Sequence, residues 1–197
     1  MAAGDLTTAD TVRTYLRGSV SVVADDTALI DLLVTAVSKI FVSEVELPII
    51  TASATDTWSG NGGIQKMLNR FPVLSITSVT VDGALIPARP SIGSNGWVLT
   101  LPEAGIIDLV GYEFTEGVSN CVVVYSTGYG AVAPADIDQA CVDQVAFMFK
   151  QKDRIGIATQ SLQGTSVTYL GAWIAQQGSG GQTPLFAATI AKYRRVV

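Results

Sequence analysis

The sequence of 197 residues contains no histidine. This absence excludes the commonest general base, the Ser-His-Asp and Cys-His nucleophile systems, and most zinc and iron sites. The remaining acids are poorly placed for catalysis, because Asp136, Asp138 and Asp143 follow an i, i+2, i+7 spacing that scatters them around one predicted helix. The sequence therefore predicts no catalytic residues, no metal site and no cofactor.

Cysteine and long apolar runs are scarce as well. Cys121 lies in a valine-rich segment and Cys141 on the apolar face of a predicted helix, so both are expected to be buried thiols; a disulfide or a reactive thiol is the alternative. No segment approaches the roughly 20 consecutive apolar residues of a membrane span, and MAAGDLTTAD lacks the pattern of a signal peptide. We expect a protein that is outside membranes and is not secreted through the standard route.

Charged residues make up only 15% of the chain, against 48% hydrophobic residues and a mean hydropathy of +0.39. This apolar content predicts that other copies of the chain or a partner cover part of the surface. The net charge of −5 argues against a protein that grips nucleic acid through its phosphates. It is compatible with a protein that surrounds DNA and lets it slide, because an acidic wall repels phosphates.

The strongest local pattern is a strand, a glycine turn and a long helix within residues 122–156. Pro134 suits a first helical turn, and the helix is predicted over residues 134–154. Its apolar stripe includes Ile137, Ala140, Cys141, Val145 and Met148. The turn has the outline of a dinucleotide-binding fingerprint, Gly-x-Gly-x-x-Ala, but no second strand ending in an acidic residue follows the helix, so that interpretation is disfavoured.

Two helices are predicted before this segment. The first spans Ala9 to Leu16 and is capped by Thr7 or Thr8. The second begins at Asp25 or Asp26 and ends at Leu47-Pro48. Its apolar residues at i, i+3, i+4 spacing are Leu29, Leu32, Leu33, Ala36, Val37, Ile40 and Phe41.

Residues 49–130 show the period-two alternation and frequent turn residues of an antiparallel β domain. Asp82-Gly83 predicts a hairpin. The predicted strands are Ile49–Thr57, Ile64–Arg70, Ser75–Val81, Trp97–Leu101, Asp108–Phe114 and Asn120–Tyr125. The three tryptophans, Trp58, Trp97 and Trp173, are expected to anchor a core or an interface, with a stacking platform for sugars or bases as the alternative.

The C-terminal part is predicted to contain a mobile loop at residues 155–164, a short strand at Ser166–Leu170 and a flexible linker at residues 176–182. Thr183 and Pro184 then form the N-cap and first position of a terminal helix. The basic residues at its end complement the helix dipole or dock on an acidic partner.

These elements predict an α+β fold: a helical bundle formed by the N-terminal helices and the long helix, an inserted antiparallel β domain, and a C-terminal helical tail. The predicted domains are residues 1–46 with 134–175, which form a helical domain; residues 47–133, which form the β insertion; and residues 176–197, a linker and helix.

Four stretches together resemble the head-tail connector proteins of tailed bacteriophages, which are also called adaptor or head completion proteins. They are DLTTADTVRTYLRG with DDTALIDLLVTAVSKIF; FPVLSITSVTVDG; VVVYSTGYGAVAPADIDQACVDQVAFMFKQKDRIG; and TPLFAATIAKYRRVV. The resemblance implies a structural protein that forms a ring under the portal after DNA packaging, extends the DNA channel, and offers a surface to the stopper or tail. It implies no enzymatic activity.

The resemblance also implies partners and sites. The partners are the portal protein, a stopper or tail-completion protein, and further copies of the chain in a ring that is twelvefold to match the portal. Double-stranded DNA passes through without specific binding. The location is the virion neck, after assembly in the host cytoplasm. The implied portal-docking residues are Leu185, Phe186, Ile190, Tyr193, Arg194 and Arg195. The implied ring-interface or core residues are Leu29, Leu33, Val37, Ile40, Phe41, Ile137, Cys141, Val145 and Met148.

We expect removal of residues 183–197 to leave the fold intact and to abolish portal docking. Three other functions remain as alternatives: a tail-tube or neck ring protein, a β-rich carbohydrate-binding module, and a hydrolase that uses carboxylates.

Overall fold

The computed structural model describes residues 4–17, 26–152, 159–162, 165–168 and 181–194. The chain forms two compact units, one of residues 1–46 with 133–197 and one of residues 47–132. We call them the helical unit and the β unit. In chain order the elements are α1 (Ala9–Leu16), α2 (Asp26–Val45), β1 (Ala52–Trp58), β2 (Gln65–Met67), β3 (Val73–Val81), β4 (Ala84–Ile86), β5 (Gly96–Leu101), β6 (Ile106–Val110), β7 (Cys121–Thr127), α3 (Ala135–Lys150), β8 (Thr159–Leu162), β9 (Thr165–Thr168) and α4 (Pro184–Tyr193). The predicted α+β class is confirmed.

The helical unit begins with a cap that the sequence predicts. Of the two candidates, Thr8 is the N-cap of α1, because its hydroxyl oxygen accepts a hydrogen bond from the N–H of Thr11 at 3.1 Å. α1 spans the predicted residues and buries Val12 and Leu16.

The buried face of α2 differs from the predicted stripe. The residues that α2 buries are Asp26, Ile30, Val34, Val37, Ser38, Phe41 and Val45. Only Val37 and Phe41 belong to the predicted set, whereas the side chains of Leu32 and Ile40 are 67% and 42% exposed. The predicted helix is present, and its predicted stripe is divided between the buried face and a second apolar face, because α2 carries apolar residues on two faces and either face satisfies the helical period.

α3 buries Ile137, Ala140, Cys141 and Val145 as predicted, and Met148 is half-buried. Pro134 is the N-cap and precedes the first turn instead of lying in it. The helix ends at Lys150, earlier than the predicted Arg154, which lies outside the described residues.

The predicted loop at residues 155–164 is wrong in part, because β8 pairs with β9 as an antiparallel hairpin, with Thr159 opposite Thr168. Threonine in both strands and Val167 in β9 favour extended backbone over an irregular loop. β9 covers the described part of the predicted strand Ser166–Leu170. The predicted linker at residues 176–182 lies outside the described residues except for Gly181 and Gln182.

The β unit contains two antiparallel sheets. One has the strand order β1-β7-β3-β4 and the other β2-β6-β5. Both contribute to one apolar core, which includes Leu68, Val79, Ile107, Phe114 and Val123. The predicted hairpin at Asp82-Gly83 is confirmed: Val81 pairs with Ala84, and both turn residues have positive φ, of 50° and 78°.

The strand predicted at Asp108–Phe114 lies earlier, at Ile106–Val110. Two glycines set its limits, because Gly105 and Gly111 adopt φ of 67° and 72°, a region that ordinary strand residues avoid. Phe114 instead forms an isolated bridge with Gly63 and is buried in the core. The strand predicted at Ile64–Arg70 is shorter, Gln65–Met67.

A buried polar cluster joins β1, β7 and the segment after β2. The Tyr125 hydroxyl donates to Asp56 Oδ2 at 3.0 Å and accepts from the N–H of Arg70 at 3.1 Å. Asp56 Oδ2 also accepts from the N–H of Asn69 at 2.7 Å. Burial raises the pKa of Tyr125 to about 12, so the phenol stays protonated and can donate. The cluster fixes the path of the chain from β2 to β3.

Candidate interaction surfaces

The C-terminal helix α4 is packed into the helical unit. Phe186 is 1% exposed, and its ring meets that of Phe41 in α2 edge to face, with centroids 5.6 Å apart. Ile190, one turn later on the same face, is 6% exposed. This face of α4 is therefore part of the core of the unit.

The beginning of α4 is fixed by Gln144 of α3, a buried side chain. Its amide donates to the carbonyl of Gly181 at 3.1 Å and accepts from the N–H of Thr183 at 2.7 Å. Thr183 is the predicted N-cap, and its hydroxyl oxygen accepts from the N–H of Phe186. Gln144 thus satisfies two backbone groups next to the helix terminus, where they lack partners within the helix.

The end of α4 is fixed by Asp136, in the first turn of α3. Its carboxylate accepts a charged hydrogen bond from Lys192 at 2.6 Å and bonds from the Tyr193 hydroxyl at 2.9 and 3.0 Å. The hydrogen bond from the Lys192 ammonium lowers the pKa of Asp136 most, and the hydrogen bond from the Tyr193 hydroxyl lowers it further. Polar contacts therefore hold both ends of α4 on α3.

This packing divides the predicted portal-docking residues. Leu185 is 43% exposed and Arg194 is exposed, whereas Phe186 and Ile190 are buried within the unit. Tyr193 is half-buried on Asp136, and Arg195 lies outside the described residues. The expectation that residues 183–197 can be removed without affecting the fold is corrected, because their removal would uncover Phe41 and free both Gln144 and Asp136.

The predicted ring-interface or core residues also divide into two groups. Those buried within the unit are Val37, Phe41, Ile137, Cys141 and Val145. Those half-buried or exposed are Leu29, Leu33, Ile40 and Met148. Burial raises the pKa of Cys141 to about 12, so it is an inert thiol. Both cysteines are free and buried, as the sequence predicts.

Exposed and half-buried residues of α2 form a second apolar surface, which we call the outer face of α2. Its members are Leu29, Leu32, Leu33, Ala36 and Ile40. At about 100° per residue they fall within an arc of roughly 100°. Lys39, which is exposed, borders this face. The helix therefore presents one apolar face to its own unit and another to its surroundings.

A groove of about 490 Å³ lies between α1 and α3, which we call the α1–α3 groove. Its lining residues are Asp10, Thr11, Thr14, Tyr15, Gln139 and Val142. Asp143 lies beside it: the carboxylate accepts a hydrogen bond from Gln139 at 3.0 Å, and its interaction with the Tyr15 hydroxyl raises the pKa of that phenol. Asp10 also binds Arg13 at 2.7 Å. Sequence reasoning missed this groove, because its two walls are more than 120 residues apart.

The tryptophans of the β unit do not form an open platform. Trp58 packs edge to face on Phe114 with centroids 5.2 Å apart, and Lys66 lies over its ring at 5.3 Å. Trp97 packs against the same core, as predicted, and Trp173 lies outside the described residues.

Within the described parts of the chain, no cluster of His, Cys, Asp or Glu is arranged to hold a metal, and no helix is long and apolar enough to cross a membrane.

A family model described as "Head completion protein" matches residues 5–177. The chain belongs to the head completion protein family. Proteins of this family are structural and non-enzymatic, and the role of the chain is that of a head-tail connector in the virion. The matched residues contain α1, α2, the β unit and α3, but not α4. A search of curated proteins found no match.

Solved structures with a similar fold come from gene transfer agent particles. One is from the neck of the empty particle, computed with C6 symmetry, with 15% identity and a TM-score of 0.58. A second is from the neck of the native particle, computed with C12 symmetry, with 14% identity and a TM-score of 0.56. A third is from the virion of the native particle, with 18% identity and a TM-score of 0.57. Each alignment covers 100% of this head completion protein and 93% of the other chain.

Proposed function

We propose that this head completion protein forms a homo-oligomeric ring at the neck of the virion, between the portal and the tail. The ring is twelvefold, matches the portal, and extends the channel through which double-stranded DNA passes. It assembles in the host cytoplasm after the head has been filled. The match to the family over residues 5–177 carries this proposal.

Two further observations support a ring. Chains with the same fold occur in necks computed with C6 and C12 symmetry, and cyclic symmetry is the symmetry of a ring. On the outer face of α2 the large apolar side chains of Leu32 and Ile40 are exposed. Apolar surfaces of this kind mark contacts with other proteins, and subunits of permanent rings bury them.

The portal contact that we propose differs from a free tail. Because α4 is held by Gln144 and Asp136, it presents a preformed surface, with Leu185 and Arg194 exposed. Arg195 continues this basic end in the sequence. An acidic and apolar site on the portal would fit it. The stopper or tail-completion protein would then bind another part of the ring.

The proposal is tested by electron microscopy of particles made after this reading frame is interrupted in its phage. We expect tailless heads that have lost DNA beside complete free tails, and recovery of infectious particles when purified protein is added to the lysate. Full heads beside defective tails would instead indicate a tail protein. Normal virions would refute a role at the neck.

A further inference from the structure

We infer that the outer face of α2 in one subunit packs into the α1–α3 groove of the next subunit around the ring. This inference rests on the proposed ring and specifies its lateral contact. The two surfaces lie in the helical unit and share no residue.

The outer face of α2 requires a protein to cover it. A helix at the surface of a monomer usually carries a single apolar face, and a further exposed apolar face marks a contact with another protein. α2 already buries Ile30, Val34 and Val37 inside its own unit. On its other side, Leu32 is 67% and Ile40 is 42% exposed.

A second copy of the chain fits this requirement, because each subunit of a closed ring with more than two members must present two different, complementary surfaces. The outer face of α2 is a convex apolar ridge. The α1–α3 groove is concave and has a volume of about 490 Å³. Together they provide the two unlike surfaces that a head-to-tail contact uses.

The α1–α3 groove has apolar surface that can contact the outer face of α2. The methyl groups of Thr11 and Thr14 and the half-exposed ring of Tyr15 offer carbon surface to leucine and isoleucine.

The first test is cross-linking in virions that carry engineered cysteines. The two natural cysteines are both buried, so Leu32→Cys and Thr14→Cys introduce accessible thiols. With a short bismaleimide, the double variant is expected to give a ladder of covalent oligomers up to the size of the ring. Each single variant is expected to stay monomeric. Dimers from Leu32→Cys alone would overturn the inference, because they require α2 to meet α2.

Failure of this contact is distinguishable from failure of the ring. If wild-type protein is found in virions and the double variant is present there without cross-links, the contact is wrong and the proposed function stands. If wild-type protein is absent from virions, the proposed function fails as well.

The second test compares two aspartates placed at equally exposed positions. Leu32→Asp should weaken ring assembly roughly tenfold or more, because it places a charge in a desolvated contact. Leu85→Asp is the matched control, since Leu85 lies in the β unit and is 69% exposed. Assembly is measured by adding each folded variant to heads that lack the protein and counting completed particles. If the two variants lower the number of completed particles equally, or if neither lowers it, the inference is overturned.

Discussion

Replacing Phe186 by alanine is expected to destabilise the helical unit. The side chain is 1% exposed and pairs edge to face with Phe41 at 5.6 Å. A buried Phe→Ala change costs about 3–5 kcal/mol, through lost burial and the cavity that remains. The aromatic pair accounts for about 0.5–1.5 kcal/mol of geometry-specific energy, measurable by a double-mutant cycle with Phe41.

Leu185→Ala is the matched control, because it is the adjacent residue of the same helix and is 43% exposed. We expect it to cost less than about 1 kcal/mol. The assay is urea unfolding followed by circular dichroism at a helical wavelength, together with hydrogen exchange of α2 and α4 by mass spectrometry. Phe186→Ala should lower the protection of both helices. The packing of α4 would be refuted if Phe186→Ala lowered the free energy of unfolding by an amount within about 1 kcal/mol of the control and left the hydrogen-exchange protection of α2 unchanged.

Three further predictions concern single positions. Tyr125→Phe should destabilise the β unit by about 1–3 kcal/mol in urea unfolding, because the buried carboxylate of Asp56 loses a donor; an unchanged midpoint would contradict this. The pKa of Asp136 is lowered from 3.8 by contacts with α4, so the stability it adds is present above about pH 4 and is lost as the pH falls through the lowered pKa. Hydrogen exchange of α4, corrected for intrinsic rates, should therefore quicken below pH 4, and Asp136→Asn should remove that pH dependence; persistence in the variant would refute the assignment. Gly60→Ala should cost at least about 2 kcal/mol, because the added Cβ would lie 1.9 Å from the carbonyl oxygen of Thr115, whereas Gly63→Ala meets only a side chain at 3.0 Å and should cost clearly less in the same unfolding assay.

Local signals in the sequence predicted many of the helices and turns. The sequence predicts Thr7 or Thr8 and Thr183 as caps, because Ser, Thr, Asp and Asn accept hydrogen bonds from the first turn, and the structure has Thr8 and Thr183 at these positions. The Asp82-Gly83 hairpin followed from the positive φ that its turn type requires. These features depend on residues within a few positions of each other, which a single sequence displays directly.

The choice between two apolar faces of α2 was not available from the sequence. Leu29, Leu33 and Ile40 fit the helical period as well as Ile30 and Val34 do, so only the packing of the other helices decides which face is inside. The shift of β6 had a local signal, since Gly105 and Gly111 flank it, but alternation alone placed the strand too late.

The contacts of α4 depend on residues far apart in the chain. Gln144 and Asp136 precede their partners by 37 to 57 residues, and neither has a spacing that distinguishes it from a solvated helix residue. Terminal position and basic charge suggested a free docking segment. Burial of Phe186 against Phe41 shows that the same amphipathic pattern instead completes the helical core.

An electron-microscopy reconstruction of the neck in the native virion would show the proposed ring itself. We expect a closed ring of this chain between portal and tail, with α4 toward the portal and α2 of each subunit against α1 and α3 of the next. A neck built from other chains, with this protein in the tail tube or absent from the particle, would contradict it.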